Sequence, residues 1–232
     1  MLPTKLVSHA ATGMVATSLL MLNPAFAGQK PKDWTPGVDP NNFVSQVDNP
    51  YFPLSSVRSL SYRGVSKDGT ETLVIEVTGQ TKEILGVTTT VVVETARLNG
   101  SVIEVAENWF AQDREGNVWY FGESTRDVVT GTAGSWEAGV DQAKPGIVMK
   151  AHPAVGDTYF QEFAPGVAQD MAAVMSTTKR VSVMGRSFDN VLLTKEWTAL
   201  EANSVEHKSY APGVGLILEE KGGVTLELVA LN

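Results

Sequence analysis

The sequence has no cysteine among its 232 residues. That excludes disulfides, thiolate metal sites and a cysteine nucleophile, so the fold must be held by its core. Histidine is nearly as scarce, with three residues. Only His152 and His207 lie beyond the N-terminal apolar region, and two such distant imidazoles do not suggest a zinc site. The G-x-S-x-G elbow, H-E-x-x-H, the phosphate loop and G-x-G-x-x-G are all missing, so no cofactor and no metal is implied. Positive charge is in deficit: 18 Lys and Arg stand against 26 Asp and Glu, a formal charge of −8. Nucleic acids and anionic membrane surfaces, which need clustered Lys and Arg, are poor partners for such a chain. An acidic balance is also what keeps an exported protein soluble.

Long apolar runs are lacking too. The N-terminus, MLPTKLVSHAATGMVATSLLMLNPAFA, has Lys5 as its only formal charge and a mostly apolar stretch from about Ala10 to Leu22. That stretch is short of the roughly 20 residues a spanning helix needs. Ala25-Phe26-Ala27 has the small-x-small form of a cleavage site, so residues 1–27 read as a secretory signal peptide. Removal of the segment takes Lys5 with it and leaves no transmembrane segment. The expected location is the periplasm or beyond, with the oligomeric state left open.

What is present is β-strand pattern. Residues 28–56 are proline-rich and lack periodicity, and form an extended arm whose Trp34, Phe43, Tyr51 and Phe52 would pin it to the domain. From residue 57 to 232 the period is two: VRSLSYRGV, TETLVIEVT, TTTVVVETARL and SVIEVAENWF are followed by similar runs from TYFQEF to VTLELVAL. Asn99-Gly100 fits a two-residue hairpin turn, since both residues tolerate positive φ. Evenly spaced strands with short turns imply a single mainly β domain, an antiparallel meander forming a barrel or strongly curved half-barrel. One short helix is expected at Gly166–Met175, where Val167, Met171 and Val174 recur at i, i+4 and i+7. Residues 81–123 are echoed by 178–220. In that alignment Glu107, Phe110 and Ala111 match His207, Tyr210 and Ala211, by duplication or by the geometry of meanders.

The hairpin WFAQDREGNVWYFGE (109–123) is the most suggestive stretch. Its Asp113–Gly116 loop has the make-up of a type I turn with a left-handed glycine. Asp113, Glu115 and Asn117 have the spacing of the first ligands of a calcium loop, but the bidentate glutamate does not follow. Both faces of the flanking strands are mixed, so both need cover. Trp109, Trp119, Tyr120, Trp136, Glu107 and Glu123 are candidates for a ligand-binding wall. A carboxylate buried among aromatics needs a partner or shifts its pKa upward, so Glu107 and Glu123 are also candidate general acids or bases, with His207 a third. For each the structural alternative is an ordinary ion pair or a packed strand position.

Five stretches together, DNPYFPL (48–54), WFAQDREGNVWYFGE, GSWEAGVDQAKPGI (134–147), FDNVLLTKEWTALE (188–201) and HKSYAPGVGLILE (207–219), resemble a family of exported bacterial β-rich proteins. That family brings no assigned activity, substrate or catalytic residues. The Tyr-Ala-x-Gly-Val-Gly hairpin is also similar to one in periplasmic half-barrels of the LolA/LppX kind, a likeness that implies lipophilic cargo. Three functions are therefore in view: an exported protein binding a small or lipophilic molecule in an aromatic-lined cavity, a periplasmic enzyme using cavity carboxylates or His207, or an envelope structural or partner-binding protein.

Overall fold

The computed structural model describes residues 34–201 and 204–232. The expected signal segment, 1–27, lies outside the described residues. The chain forms β1 (Phe43–Val44), β2 (Ser59–Ser66), β3 (Gly69–Ile84), β4 (Val87–Leu98), β5 (Ser101–Asp113), β6 (Val118–Asp127), β7 (Trp136–Glu137) and β8 (Lys144–Met149). It continues with β9 (Thr158–Phe160), β10 (Glu162–Phe163), β11 (Asp170–Val183), β12 (Arg186–Thr198), β13 (Val205–Ala211), β14 (Gly215–Lys221) and β15 (Val224–Leu231). The only helical turn among the described residues is a 3-10 turn at Pro40–Asn42.

Pairing is antiparallel throughout, in the order β10-β8-β6-β5-β4-β3-β2-β15-β14-β13-β12-β11-β9, with β1 on β5 and β7 on β6. The two ends of this path are one stretch of chain. Residues 158–160 pair with β11 and residues 162–163 pair with β8. Between them Gln161 donates its N–H to Asp170 O at 2.8 Å. The run 158–163 thus joins both ends of the sheet and nearly closes it into a barrel. The expectation of an antiparallel barrel holds.

Turn chemistry sets the meander. Leu85-Gly86, Asn99-Gly100, Met184-Gly185 and Gly222-Gly223 all have positive φ at both residues, the form whose twist matches flanking strands. They close the pairs Ile84↔Val87, Leu98↔Ser101, Val183↔Arg186 and Lys221↔Val224.

The expected helix at 166–175 is not there. Ala164 and Ala168 exchange backbone hydrogen bonds around a tight turn, and β11 begins at Asp170. Ala172, Ala173 and Val174 are all buried. A strand covered on both faces loses its period of two, and the helical spacing of its apolar residues is incidental.

Within the described residues the arm packs on the domain through specific contacts. Trp34 donates its indole N–H to Pro145 O at 2.8 Å and accepts from Lys144 Nζ at 2.7 Å through its carbonyl. Phe43 meets Trp119 and Phe121 edge-on. Gln112 Oε1 accepts the N–H groups of Asp48 and Asn49, both at 2.9 Å. Pro50 O accepts from Gly213 N at 2.7 Å. The arm therefore runs from the β5–β6 loop to the β13–β14 turn and carries Phe52, Pro53 and Leu54 into the cavity wall.

Candidate functional site

The barrel holds a partly open cavity of about 150 Å³. One part of its wall is apolar, formed by side chains such as Leu60, Leu73, Ile75, Val77 and Val92 together with Phe52 of the arm. The other part is ionisable: Glu94, Glu162, Asp170, Glu196, Glu206, Lys208 and Glu219, with Asn108, Tyr120 and Tyr210 beside them.

Alternation along β13 puts Glu206, Lys208 and Tyr210 on the cavity face. Lys208 Nζ lies 2.9 Å from Glu196 Oε2 and 3.3 Å from Glu206 Oε2, and Lys221 also pairs with Glu206. Glu196 Oε1 accepts from Thr194 Oγ1 at 2.7 Å and from the Tyr210 hydroxyl at 3.3 Å. Glu219 stands opposite Lys208 in register. Burial pulls the Lys208 ammonium down, but the carboxylates of Glu196, Glu206 and Glu219 more than reverse this, and it stays charged. Burial pushes Glu219 up, helped by Glu206 and Glu196 and opposed by Lys208 and Lys221, to about 7. Glu206 goes the other way: against the upward pull of burial, Lys208 and Lys221 hold it at about 2. The hydroxyls of Tyr62, Tyr120 and Tyr210 are pushed well up, by burial first, and remain donors.

The opposite wall comes from β4–β6. Phe110 and Tyr120 stack with ring centroids 4.7 Å apart. The Tyr120 hydroxyl donates to Asn108 Oδ1. The other end of that amide has no protein partner, although Asn108 is only 4% exposed. After burial, the carboxylates of Glu123, Glu162 and Glu94 act together to raise the Tyr120 hydroxyl.

The sequence candidates divide between this wall and the outside of the sheet. Tyr120 lines the cavity, and Glu123 is buried near its hydroxyl. Trp136 is buried edge-on to Tyr120 at 5.4 Å and supports it without lining the cavity. Glu107 is exposed and does not line the cavity. Trp109 carries the Lys82 ammonium 3.3 Å from its ring centroid, and Lys82 pairs with Glu137 at 2.7 Å. Trp119 packs against Trp34 and Phe43 and donates its indole N–H to Asp113 Oδ2 at 2.8 Å. His207 alternates with Glu206 and Lys208, so it faces away from the cavity, with Lys195 and Glu220 as its strand neighbours. Glu107 and His207 are thus remote from the cavity for a structural reason: strand alternation points them outward. Asp113, the first residue of the calcium-like row, is filled by the N–H groups of Glu115 and Asn117, the Asn117 amide and the Trp119 indole. Among the described residues no group of three or more His, Asp and Glu is placed to hold a metal. No helix of the described residues is long and apolar enough to cross a membrane.

The residues missed by sequence reasoning are Asn108, Glu94, Glu196, Glu206, Lys208 and Glu219. A signal for them was present in the internal echo. In the structure Val92 pairs with Asn108 and Thr194 with Lys208. Asn108 pairs with Glu123 and Lys208 with Glu219. Both hairpins then shift register at the next residue, between Trp109 and Phe110 and between Ser209 and Tyr210. The two halves therefore share a register and a bulge, and Glu94, Asn108 and Glu123 stand where Glu196, Lys208 and Glu219 stand.

No family model matches the chain, and no curated protein matches it. Among solved structures, the crystal structure of a "putative lipoprotein from Parabacteroides distasonis ATCC 8503" aligns over 79% of this chain and 99% of that one, with 10% sequence identity and a TM-score of 0.38. At that level the likeness concerns neither ligand nor location.

Proposed function

We propose that this is an exported binding protein whose barrel holds a small molecule with an apolar body and a polar end. One observation carries the reading: the barrel core contains a cavity of about 150 Å³ whose wall is apolar on one side and ionisable on the other. A core built only for stability fills such a space with close-packed side chains. Ligand pockets combine apolar walls with a few polar groups that fix orientation. Export is the expectation raised by residues 1–27.

Ile75 lines the apolar side and is only half-buried. The test is titration of the mature protein with a small apolar ligand of the cavity's size, toluene, by isothermal titration calorimetry. The expected result is one-to-one uptake, weakened about tenfold or more in Ile75→Trp, which fills the cavity at a stability cost of about 1–3 kcal/mol. Equal toluene binding by a folded Ile75→Trp, or none by the wild type, would sink the cavity as a binding site.

A further inference from the structure

The two related halves of the barrel use their central donor differently. In the β11–β14 half, the Lys208 ammonium pairs with Glu196 and Glu206. In the β3–β6 half the matching position is Asn108, whose strand partners Val92 and Glu123 correspond to Thr194 and Glu219 beside Lys208. The Asn108 amide accepts from the Tyr120 hydroxyl through Oδ1, and burial keeps that hydroxyl protonated. Its Nδ2 has no protein partner, although the residue is 4% exposed and lines the cavity. A buried donor in this state calls for a ligand atom or a water. The wall around it is apolar: Val92 and Phe110 line the cavity with Asn108, and Phe52 of the arm meets Phe110 edge-on at 5.0 Å. The charged groups of the wall are engaged already. Glu196 and Glu206 hold Lys208, and Glu94, Glu162 and Asp170 have interactions of their own. A ligand cation would have to displace those partners, and a ligand anion would meet carboxylates of like charge.

Resting on the binding function proposed above, we infer that the polar end of the ligand is an uncharged carbonyl oxygen, that of a small ketone or ester, which accepts a hydrogen bond from Asn108 Nδ2. The group fits the open atom in kind. A carbonyl accepts and donates nothing, so it satisfies Nδ2 without burying a new donor. An alcohol also accepts, but its own O–H then needs an acceptor in the wall. The Tyr120 hydroxyl holds the other end of the amide and so leaves Nδ2 for the ligand. Asn108 binds, and Tyr120 positions it. The apolar body lies against Val92, Phe110 and Phe52, and a volume near 150 Å³ accepts roughly a benzene-sized group.

The test is isothermal titration calorimetry of the mature protein at pH 7 with cyclohexanone, methylenecyclohexane, cyclohexylamine and cyclohexanecarboxylate. These share a ring and differ in the group it bears. The readout is the affinity of each relative to methylenecyclohexane, in the wild type and in Asn108→Leu, a nearly isosteric loss of the amide. One neutral hydrogen bond predicts that this ratio for cyclohexanone falls about fivefold or more in Asn108→Leu. Both charged compounds should bind the wild type more weakly than cyclohexanone. A second measurement does not depend on the folding of the variant. In nitrogen-15-labelled wild type, cyclohexanone should move the Asn108 side-chain amide protons downfield, and methylenecyclohexane should not. An unchanged ratio in a folded Asn108→Leu, or an amide signal that cyclohexanone leaves unmoved, would overturn the inference and leave the cavity a binding site for an apolar body. Tightest binding of the amine or the carboxylate would overturn it likewise. If neither toluene nor any of the four binds, the proposed function falls with it.

Discussion

Glu219 is a carboxyl group whose ionisation the fold opposes, and the sign of its effect on stability follows. The free side chain titrates near 4.5 and the folded one at about 7, because burial and the neighbouring Glu206 and Glu196 outweigh Lys208 and Lys221. Between these values the unfolded chain gives up its proton while the folded chain keeps it. The stability contributed by Glu219 therefore falls as pH rises through that window and levels off above 7. Glu206, held at about 2, acts oppositely: its contribution is present above 4.5 and is lost as pH falls toward 2. The windows do not overlap, so the two groups can be separated by titration. Replacing Glu219 by Gln removes the first effect alone. The advantage of Glu219→Gln over the wild type should grow by about 3 kcal/mol between pH 4.5 and pH 8, read from urea midpoints at constant m-value. An advantage that does not change with pH would mean that Glu219 is ionised in the folded protein throughout.

The elements are governed by turns and by cover. Two of the four left-handed hairpin turns place a bulky residue at positive φ: Leu85 at 53° and Met184 at 55°. The left-handed region is unfavourable for such side chains and is tolerated by asparagine. Met184 is exposed, so its side chain gives little back. Met184→Asn should raise stability by about 0.5–1 kcal/mol in urea denaturation, whereas a loss would show that the Met184 side chain packs in solution. The strands and the Asn99-Gly100 turn were legible in the sequence because alternation and turn chemistry are local. Two things were not. Asp170–Val174 imitated a helix because a strand buried on both sides has no polar face to betray its period. The site was hidden by register: Glu206, Lys208 and Tyr210 alternate with Val205, His207 and Ser209, and either set suits the inside. Only the cross-strand register, which pairs Lys208 with Glu219 and sets Glu196 diagonally across from it, decides it, and a shift of one residue reverses the faces. The echo between the halves held that pairing in outline. It aligned Phe110 with Tyr210 but led attention to Glu107 and His207, which alternation turns outward.

At the scale of the whole molecule, the cavity depends on closure. An open curved sheet leaves two strand edges and no enclosed volume, while a closed one has neither edge exposed. Here the seam is narrow, because residues 158–163 are shared between β11 on one side and β8 on the other. Gly146 is the point of closest approach. A Cβ there would collide with the Gln161 carbonyl, so glycine is required for β8 to lie against the closing run. Val148, Gln161 and Glu162, on either side of the seam, belong to the cavity wall. Gly146→Val should therefore part the seam without undoing the meander. Hydrogen–deuterium exchange should accelerate about tenfold or more in 144–149 and 158–163, with β3 and β4 protected as before, and toluene binding should fall in step. Unchanged exchange at the seam would show that the contact yields elsewhere. Faster exchange with toluene binding intact would show that the cavity is held by the β2–β6 wall and the arm alone, and that closure serves only to hide the strand edges.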